Sequence, residues 1–361
     1  MRIILLIGTV DLLLSLLGFF YYRYQLPFGK TTAFSVAYLV LTLNAILSRA
    51  VSPALPHWLM KISAWAEGLW LAFSYYTLLL ALLHLLAYLA AKLCNLQLPK
   101  TLAVIALACA CCAVAWGSWR AFHPVIRTEK IVTNKLPANT HYQAVLLTDV
   151  HLGRILGRSY AEGLVVKVNA LNPDFVLIAG DLVDEKIAYV QAEDSLSAFK
   201  ALRAPQGVYL AYGNHEYIDN PKLWQEMATD AGITVLRDKA VTIANQVKVV
   251  GLNDYSRSRD TIALQQLAVN NEDYYSILLD HQPRKMATAQ AAGYDLYLSG
   301  HTHTGQLFPN RQITKRMYAL DYGRMDLDGF NAITSAGYGF WGPPVRTEAR
   351  PEIVVIEITG K

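Results

Sequence analysis

Five of the nine histidines fall in an ordered set of short motifs that also carries carboxylates and one amide. The motifs are Asp149-Val150-His151, Gly180-Asp181-Leu182-Val183-Asp184, Gly213-Asn214-His215-Glu216, His281, and Gly300-His301-Thr302-His303. Imidazole nitrogens and side-chain oxygens without a thiolate suit Mn²⁺, Fe or Zn²⁺ better than Ca²⁺. Asp149 and His151 lie two residues apart, so both can face one side of a loop. Asp181 has two oxygens and can bridge two cations, while Asn214 offers a neutral oxygen. Such a set is enough to hold two divalent metals close together, the arrangement used for hydrolysis at phosphorus.

These residues need elements to position them, and each motif follows, or nearly follows, an apolar run. The pattern predicts strands at Tyr142–Thr148, Phe175–Ala179 and Val208–Ala211, alternating with helices at Ser159–Leu171, Ala192–Leu202 and Leu223–Ala231. Further β-rich runs stand at Val241–Ala244, Val247–Leu252, Ser276–Leu279, Leu296–Leu298 and Ile353–Ile358, with a helix near Thr261–Ala268. Apolar strands alternating with helices imply an α/β layered fold with mixed sheets, and the late Val/Ile runs allow a second sheet packed on the first. The motifs then hang at the carboxyl ends of strands, where open α/β sheets build their sites.

The first third of the chain differs in kind. Residues 1–120 hold two acidic residues, Asp11 and Glu67, against eight Lys/Arg, a net +6; the remainder holds 24 basic and 26 acidic residues, a net −2. The basic balance therefore belongs to the N-terminal part and indicates no nucleic-acid binding by the rest. Ile3–Tyr22, Ala33–Leu47, Leu69–Leu89 and Leu102–Trp119 approach the ~20 apolar residues of a spanning helix. Tyr21, Tyr22, Trp58, Trp65 and Trp119 fall near their ends, where amphipathic rings favour the headgroup zone. We expect four transmembrane helices in residues 1–120, a linker over 121–141 with Pro124 and Pro137, and the metal-binding domain over 142–361.

With four spans, Arg2, Arg49, Lys61, Arg120, Arg127 and Lys130 share one side, and Arg23, Lys30, Lys92 and Lys100 the other. Six against four leans towards an inner-membrane protein with a cytoplasmic domain. Cys94, Cys109, Cys111 and Cys112 all lie in or beside the apolar part, so the second domain has neither disulfides nor a thiolate site. His84, inside an apolar stretch, reads as a hydrogen-bonded membrane residue rather than a ligand.

The order of the motifs separates this chain from other hydrolases. Asp-x-His alone is common by chance, and Gly-Asp-x-x-Asp alone can be a capped turn. Gly-His-x-His is a better metal signal, and the ordered set is better still. A barrel-type metal amidohydrolase usually shows its His-x-His early, whereas here it comes last. The His-x-His-x-Asp-His string of metallo-β-lactamase-like hydrolases is absent, as is a Walker-type phosphate loop.

On these blocks, residues 142–304 resemble the calcineurin-like metallophosphoesterase superfamily. The stretch from Ser335 to Arg346 is similar to that of a bacterial, membrane-linked branch, which includes enzymes similar to the pyrophosphatase acting on UDP-2,3-diacylglucosamine. The resemblance implies two mixed sheets packed as a sandwich and flanked by helices. It implies one metal on Asp149, His151, Asp181 and His303, and a second on Asp181, Asn214, His281 and His301. Mn²⁺ is the expected ion, with Fe or Zn²⁺ as alternatives. His215 matches the family's histidine beside the substrate, and Asp184 and Glu216 match residues that orient the ligands or His215. The implied reaction is attack of a metal-bridging hydroxide on a phosphoester or pyrophosphate bond of a phosphorylated small molecule or lipid.

Arg154, Arg257, Arg259, Arg284 and Arg346 are candidate contacts to an anionic substrate, with Arg346 and Arg154 foremost. Phe340 and Trp341 are candidates for an apolar wall. Two other function classes fit less well: a non-catalytic membrane scaffold retaining the fold, and a transporter using Asp11, Glu67 or His84 as a polar path.

Overall fold

The computed structural model describes residues 2–99, 101–258, 262–268 and 271–361, with backbone alone at 2–7, 262 and 271. Arg259 and Lys100 lie outside the described residues, as do the first residue of the helix expected near Thr261–Ala268 and the side chain of Arg2. The chain forms two compact units: residues up to Arg120 together with Gly342–Thr347, and Ala121–Trp341 together with Glu348–Lys361.

The first unit contains helices α1 (Arg2–Gln25), α2 (Thr32–Val51), α3 (His57–Leu93) and α4 (Leu102–Ala121). Among the described residues three helices are long and apolar enough to cross a membrane: Thr32–Ala54, His57–Leu93 and Leu102–Ala121. Leu17, Leu39, Leu83 and Leu86 each remain more than half exposed, a surface suited to lipid rather than water. Polar groups turn inwards instead. Arg49 pairs with the buried Glu67 at 2.6 Å, Ser63 and Asn44 hydrogen-bond each other, and the Trp70 indole N–H donates to Ser15. His84 Nδ1 lies 2.8 Å from the Tyr21 hydroxyl, so this histidine has a hydrogen-bond partner. α3 begins at His57, ahead of the apolar stretch read from Leu69.

The second unit carries strands β1 (Val125–Thr133), β2 (His141–Leu147), β3 (Phe175–Ala179), β4 (Val208–Ala211), β5 (Thr234–Leu236) and β6 (Lys239–Ile243). It continues with β7 (Val247–Gly251), β8 (Tyr275–Leu279), β9 (Leu296–Ser299), β10 (Gly323–Leu327), β11 (Phe330–Thr334) and β12 (Glu352–Gly360). Between them run α5 (Arg158–Ala170), α6 (Ile187–Ala192), α7 (Pro221–Asp230), α8 (Ile262–Gln266), α9 (Met286–Ala291) and α10 (Arg311–Met317). One six-stranded sheet has the order β1-β12-β2-β3-β4-β5, the other β10-β11-β9-β8-β7-β6. Both are mixed. β2 to β5 are parallel beside an antiparallel β12, and β11, β9, β8 and β7 are parallel between antiparallel edges. β3, β4, β7, β8, β9 and β11 are buried along their whole length, and β3 and β4 accordingly read as unbroken apolar runs. One apolar cluster draws on Leu146, Phe175 and Leu177 of the first sheet and Val249, Ile277 and Leu298 of the second.

Three expectations need correction. The stretch read as a linker, 121–141, contains β1, paired in parallel along its nine residues with β12. In this edge strand burial alternates, with Ile126, Thr128, Lys130 and Val132 exposed, and Arg127 and Glu129 on the half-buried face interrupt its apolar pattern. Arg127 closes this edge with a two-pronged ion pair to Glu352 at 3.0 and 3.1 Å. The helix expected at Ala192–Leu202 is split into α6 and a 3₁₀ segment, Ser195–Ala201, with Asp194 in the left-handed conformation between them. The hairpin β10–β11 was not foreseen, although Asp328-Gly329, both at positive φ, is a favoured two-residue turn.

Candidate metal centre

Each motif stands where a parallel strand ends. β2 leads to Asp149 and His151, β3 to Asp181, β4 to Asn214, β8 to His281, and β9 to His301 and His303. The site thus draws on both sheets. Three sets of donor atoms converge to within 4.8 Å of one another: Asp149, His151 and His303; His151, Asp181 and His215; Asp181, His281 and His301. His151 Nε2 and His303 Nε2 are 3.0 Å apart, and His303 Nε2 is 3.4 Å from Asp149 Oδ1. Across the centre, His281 Nε2 lies 3.1 Å from Asp181 Oδ2 and 3.2 Å from His301 Nδ1. Asn214 Oδ1 is buried with no hydrogen-bond partner among the described residues. A buried amide oxygen without a partner is costly unless something such as a cation meets it. The donor set therefore fits divalent metal ions.

The backbone is bent to make this cluster. Asp149, His151, Asp181, His301 and His303 all adopt positive φ, a region that non-glycine residues enter at a cost of about 1–3 kcal/mol each. Sharp turns at strand ends aim consecutive side chains at one point. Gly180, at φ 83°, supplies the close approach: a Cβ there would meet both Gly213 N and His281 Nδ1 at 2.7 Å.

Surrounding groups fix these side chains. His281 Nδ1 lies 2.8 Å from the Ala179 carbonyl, a contact in which Nδ1–H donates and Nε2 is left to face Asp181. Glu216 accepts from the backbone N–H groups of Asp181 (2.9 Å), Leu182 (2.8 Å) and Gly213 (2.6 Å), tying two strand-end loops together. The His215 main-chain N–H donates to Asp181 Oδ1 at 2.9 Å, and the His215 ring meets Asp184 Oδ1 through Nδ1 at 2.7 Å. Asp149's N–H and His301's N–H are also used, the latter on the Asp149 carboxylate at 3.0 Å.

Glu216→Ala is expected to leave three buried N–H groups unpaired. The expected loss is on the order of 3 kcal/mol of stability, with metal content falling as the loops separate. Thermal unfolding in detergent and metal analysis check this, and an unchanged melting temperature would refute the tie.

The electrostatics favour cations. Burial alone would raise Asp149, but His303 and then His151 outweigh it and hold its carboxyl well below the usual range. Asp181 behaves in the same way, with burial opposed first by His281. His281 is pulled down by burial yet held well above its ordinary value, chiefly by Asp181. Burial, and then His281, lowers His301 to about 4, which leaves its ring neutral. Burial and the charge of Asp181 push Glu216 up to about 7. Carboxylates so crowded and buried are a ready place for positive charge.

The candidate anion contacts separate by position. Arg154 is buried and pairs with Glu185 at 2.7 and 3.1 Å. Arg346 is fully buried in the helical unit, where its N–H donates to the Gly117 carbonyl. Phe340 is core, packed on Phe122, whereas Trp341 is 45% exposed with its ring 6.3 Å from that of His215. Two neighbours of the centre escaped the sequence reading. Asp254, buried just past β7, accepts from the Gln282 amide at 3.0 and 3.2 Å and adds to the field on His281. Tyr318 places its ring 6.2 Å from that of His301. Asp254 follows a buried strand as the recognised motifs do, which was the available signal.

Comparison with known proteins identifies the family. The family described as calcineurin-like phosphoesterase matches residues 143–305. A Helicobacter pylori metallophosphoesterase is 32% identical over 254 residues, covering 67% of this chain and 67% of that protein. An Aquifex aeolicus metallophosphoesterase is 34% identical over 247 residues, 65% of this chain and 93% of its own length. A zebrafish (Danio rerio) relative described as a transmembrane protein with metallophosphoesterase domain is 28% identical over 327 residues, 83% of this chain and 74% of its own. The chain belongs to the calcineurin-like metallophosphoesterases, a family of phosphoester hydrolases.

Proposed function

We propose that this protein is a membrane-anchored hydrolase that cleaves a phosphoester or pyrophosphate bond with two divalent metals, Mn²⁺ foremost. The observation that carries this reading is the convergence of two donor groups on the Asp181 carboxylate, with Asn214 Oδ1, buried and without a partner among the described residues, past the end of the neighbouring strand. Asp149, His151, Asp181 and His303 would hold one ion, and Asp181, Asn214, His281 and His301 the other. When bound, a metal pair supplies a water of lowered pKa and positive charge for the phosphoryl oxygens. His215 does the chain's own chemistry: held by Asp184 through Nδ1, it presents a protonated Nε2 that stabilises the transition state or donates to the leaving oxygen. Asp184 and Glu216 hold His215 and the ligand loops in register.

In this reading α1 joins the three apolar helices as a fourth span, and the two sheets pack face to face as a sandwich. The charge balance of the connections favours a cytoplasmic catalytic domain. A lipid-linked substrate such as UDP-2,3-diacylglucosamine is favoured by the apolar helices and by Trp341, exposed next to His215. Arg154 and Arg346 remain candidates for holding such a substrate.

Purified protein loaded with manganese should hydrolyse p-nitrophenyl phosphate or its bis-ester, and lose the activity with chelator. Absence of turnover with every phosphoester in a panel would leave the scaffold reading instead. Release of UMP from UDP-diacylglucosamine would specify the lipid substrate. Chelation should also lower the melting temperature, because ions at a hundred times their dissociation constant stabilise the folded state by about 2.7 kcal/mol. An unshifted melting curve would argue against a bound metal pair.

A further inference from the structure

We propose that Arg284, with Arg257 beside it, forms a subsite for a second phosphate of the substrate, distinct from the phosphorus that is attacked. The proposal rests on the phosphoesterase reading and deepens it. Five arginines of this domain answer a carboxylate: Arg127 with Glu352, Arg154 with Glu185, Arg158 with Glu162, Arg311 with Asp321, Arg324 with Asp326. Arg257 and Arg284 have no carboxylate partner among the described residues, and both are exposed. Each is held by aromatic rings instead. The Arg284 guanidinium lies 4.7 Å from the centre of the Tyr318 ring and 5.2 Å from that of Tyr255, and donates to the Tyr318 hydroxyl at 3.2 Å. The Arg257 guanidinium sits 4.7 Å from the Tyr217 ring. Stacking on aromatic faces positions the planar fork while leaving N–H donors free for a phosphate, the anion this geometry matches.

Both arginines are placed at the rim of the centre. Tyr318 connects Arg284 to the His301 ring, 6.2 Å away, and Arg284 follows His281 by three residues. Tyr217 follows His215 by two residues, and its hydroxyl is tied to Asn253. The two carrying segments are braced against each other: Gln282 donates to Asp254, and Lys285 Nζ to the Ser258 carbonyl at 3.0 Å. A preorganised pair of cations next to a metal centre suits a substrate with two phosphates, one for the metals and one for the rim.

The test compares two nucleotides, thymidine monophosphate and thymidine bisphosphate, by calorimetry on the full chain in detergent with chelator present, so that nothing is turned over. Wild type should bind the bisphosphate more tightly. Arg284→Ala should weaken bisphosphate binding about tenfold and leave the monophosphate within about twofold. Arg158→Ala, an exposed arginine on α5, should change neither. Equal affinity of wild type for the two nucleotides, an equal loss on both in Arg284→Ala, or the same loss in Arg158→Ala would each overturn the subsite. With manganese restored, the p-nitrophenyl diesters of the same nucleotides should repeat the pattern in kcat/KM. Absence of hydrolysis alongside the binding difference would refute the phosphoesterase reading while supporting the anion subsite.

Discussion

Asp181→Asn is expected to empty the metal centre and lower turnover by about a thousandfold or more. The carboxylate belongs to two of the three converging donor sets, and no other oxygen ligand is shared between them. An amide at this place keeps the volume and one oxygen, which can still accept from the His215 N–H at 2.9 Å. The local fold should therefore survive. The variant loses the negative charge and the second equivalent oxygen, so it cannot offset and bridge two cations. Several kcal/mol of electrostatic stabilisation go with the metals, and each 1.36 kcal/mol is about tenfold in rate. Metal analysis of the purified variant should show at most one ion per chain, with circular dichroism like that of wild type. Two retained ions would exclude Asp181 as the bridge.

The sequence made the centre legible because its candidate ligands are local features of single strand ends. Asp149, Asp181, Asn214, His281 and His301 each announce themselves by a buried run followed by a turn, and the structure brings Asp149, Asp181, His281 and His301 into converging clusters. The rim is different in kind. Arg284 acquires its place from Tyr255 and Tyr318, and Arg257 from Tyr217, contacts between segments that no spacing along the chain reports. Arg346 was named from its motif alone, and its burial, with its main-chain N–H on the Gly117 carbonyl, is a feature that no spacing along the chain reports. The sheet was legible where strands are buried on both faces. β1 was missed because Arg127 and Glu129 stand on its half-buried face while Ile126 and Val132 are exposed, and β5 because three residues carry too little pattern. The Asp328-Gly329 turn was readable and overlooked.

His215→Ala should lower kcat by about a hundredfold to ten-thousandfold while the metal content stays at two, which separates an acid from a ligand. The pH dependence follows from what surrounds the ring. Burial alone would lower its pKa, but Asp181, then Asp184 and more weakly Glu216, outweigh it and hold it up to about 9. The imidazolium is thus present at neutral pH, and activity that needs it falls as pH rises through the folded-state pKa. Its contribution to folding has the same sign: full below the ordinary histidine value of 6.5, and lost as pH rises towards 9. Bound cations offset the charge of Asp181, so the alkaline limb of the loaded enzyme should lie below 9, with the 2.7 Å contact to Asp184 as its main support. Asp184→Asn then removes that support without touching a proposed ligand. The limb should move to lower pH, with kcat at the acidic plateau reduced far less than in His215→Ala. A profile of kcat/KM against pH for the two variants distinguishes the roles, because a metal-bound water would titrate on the acidic side and be little affected by Asp184. An alkaline limb unmoved in Asp184→Asn, or full activity in His215→Ala, would remove His215 from the chemistry.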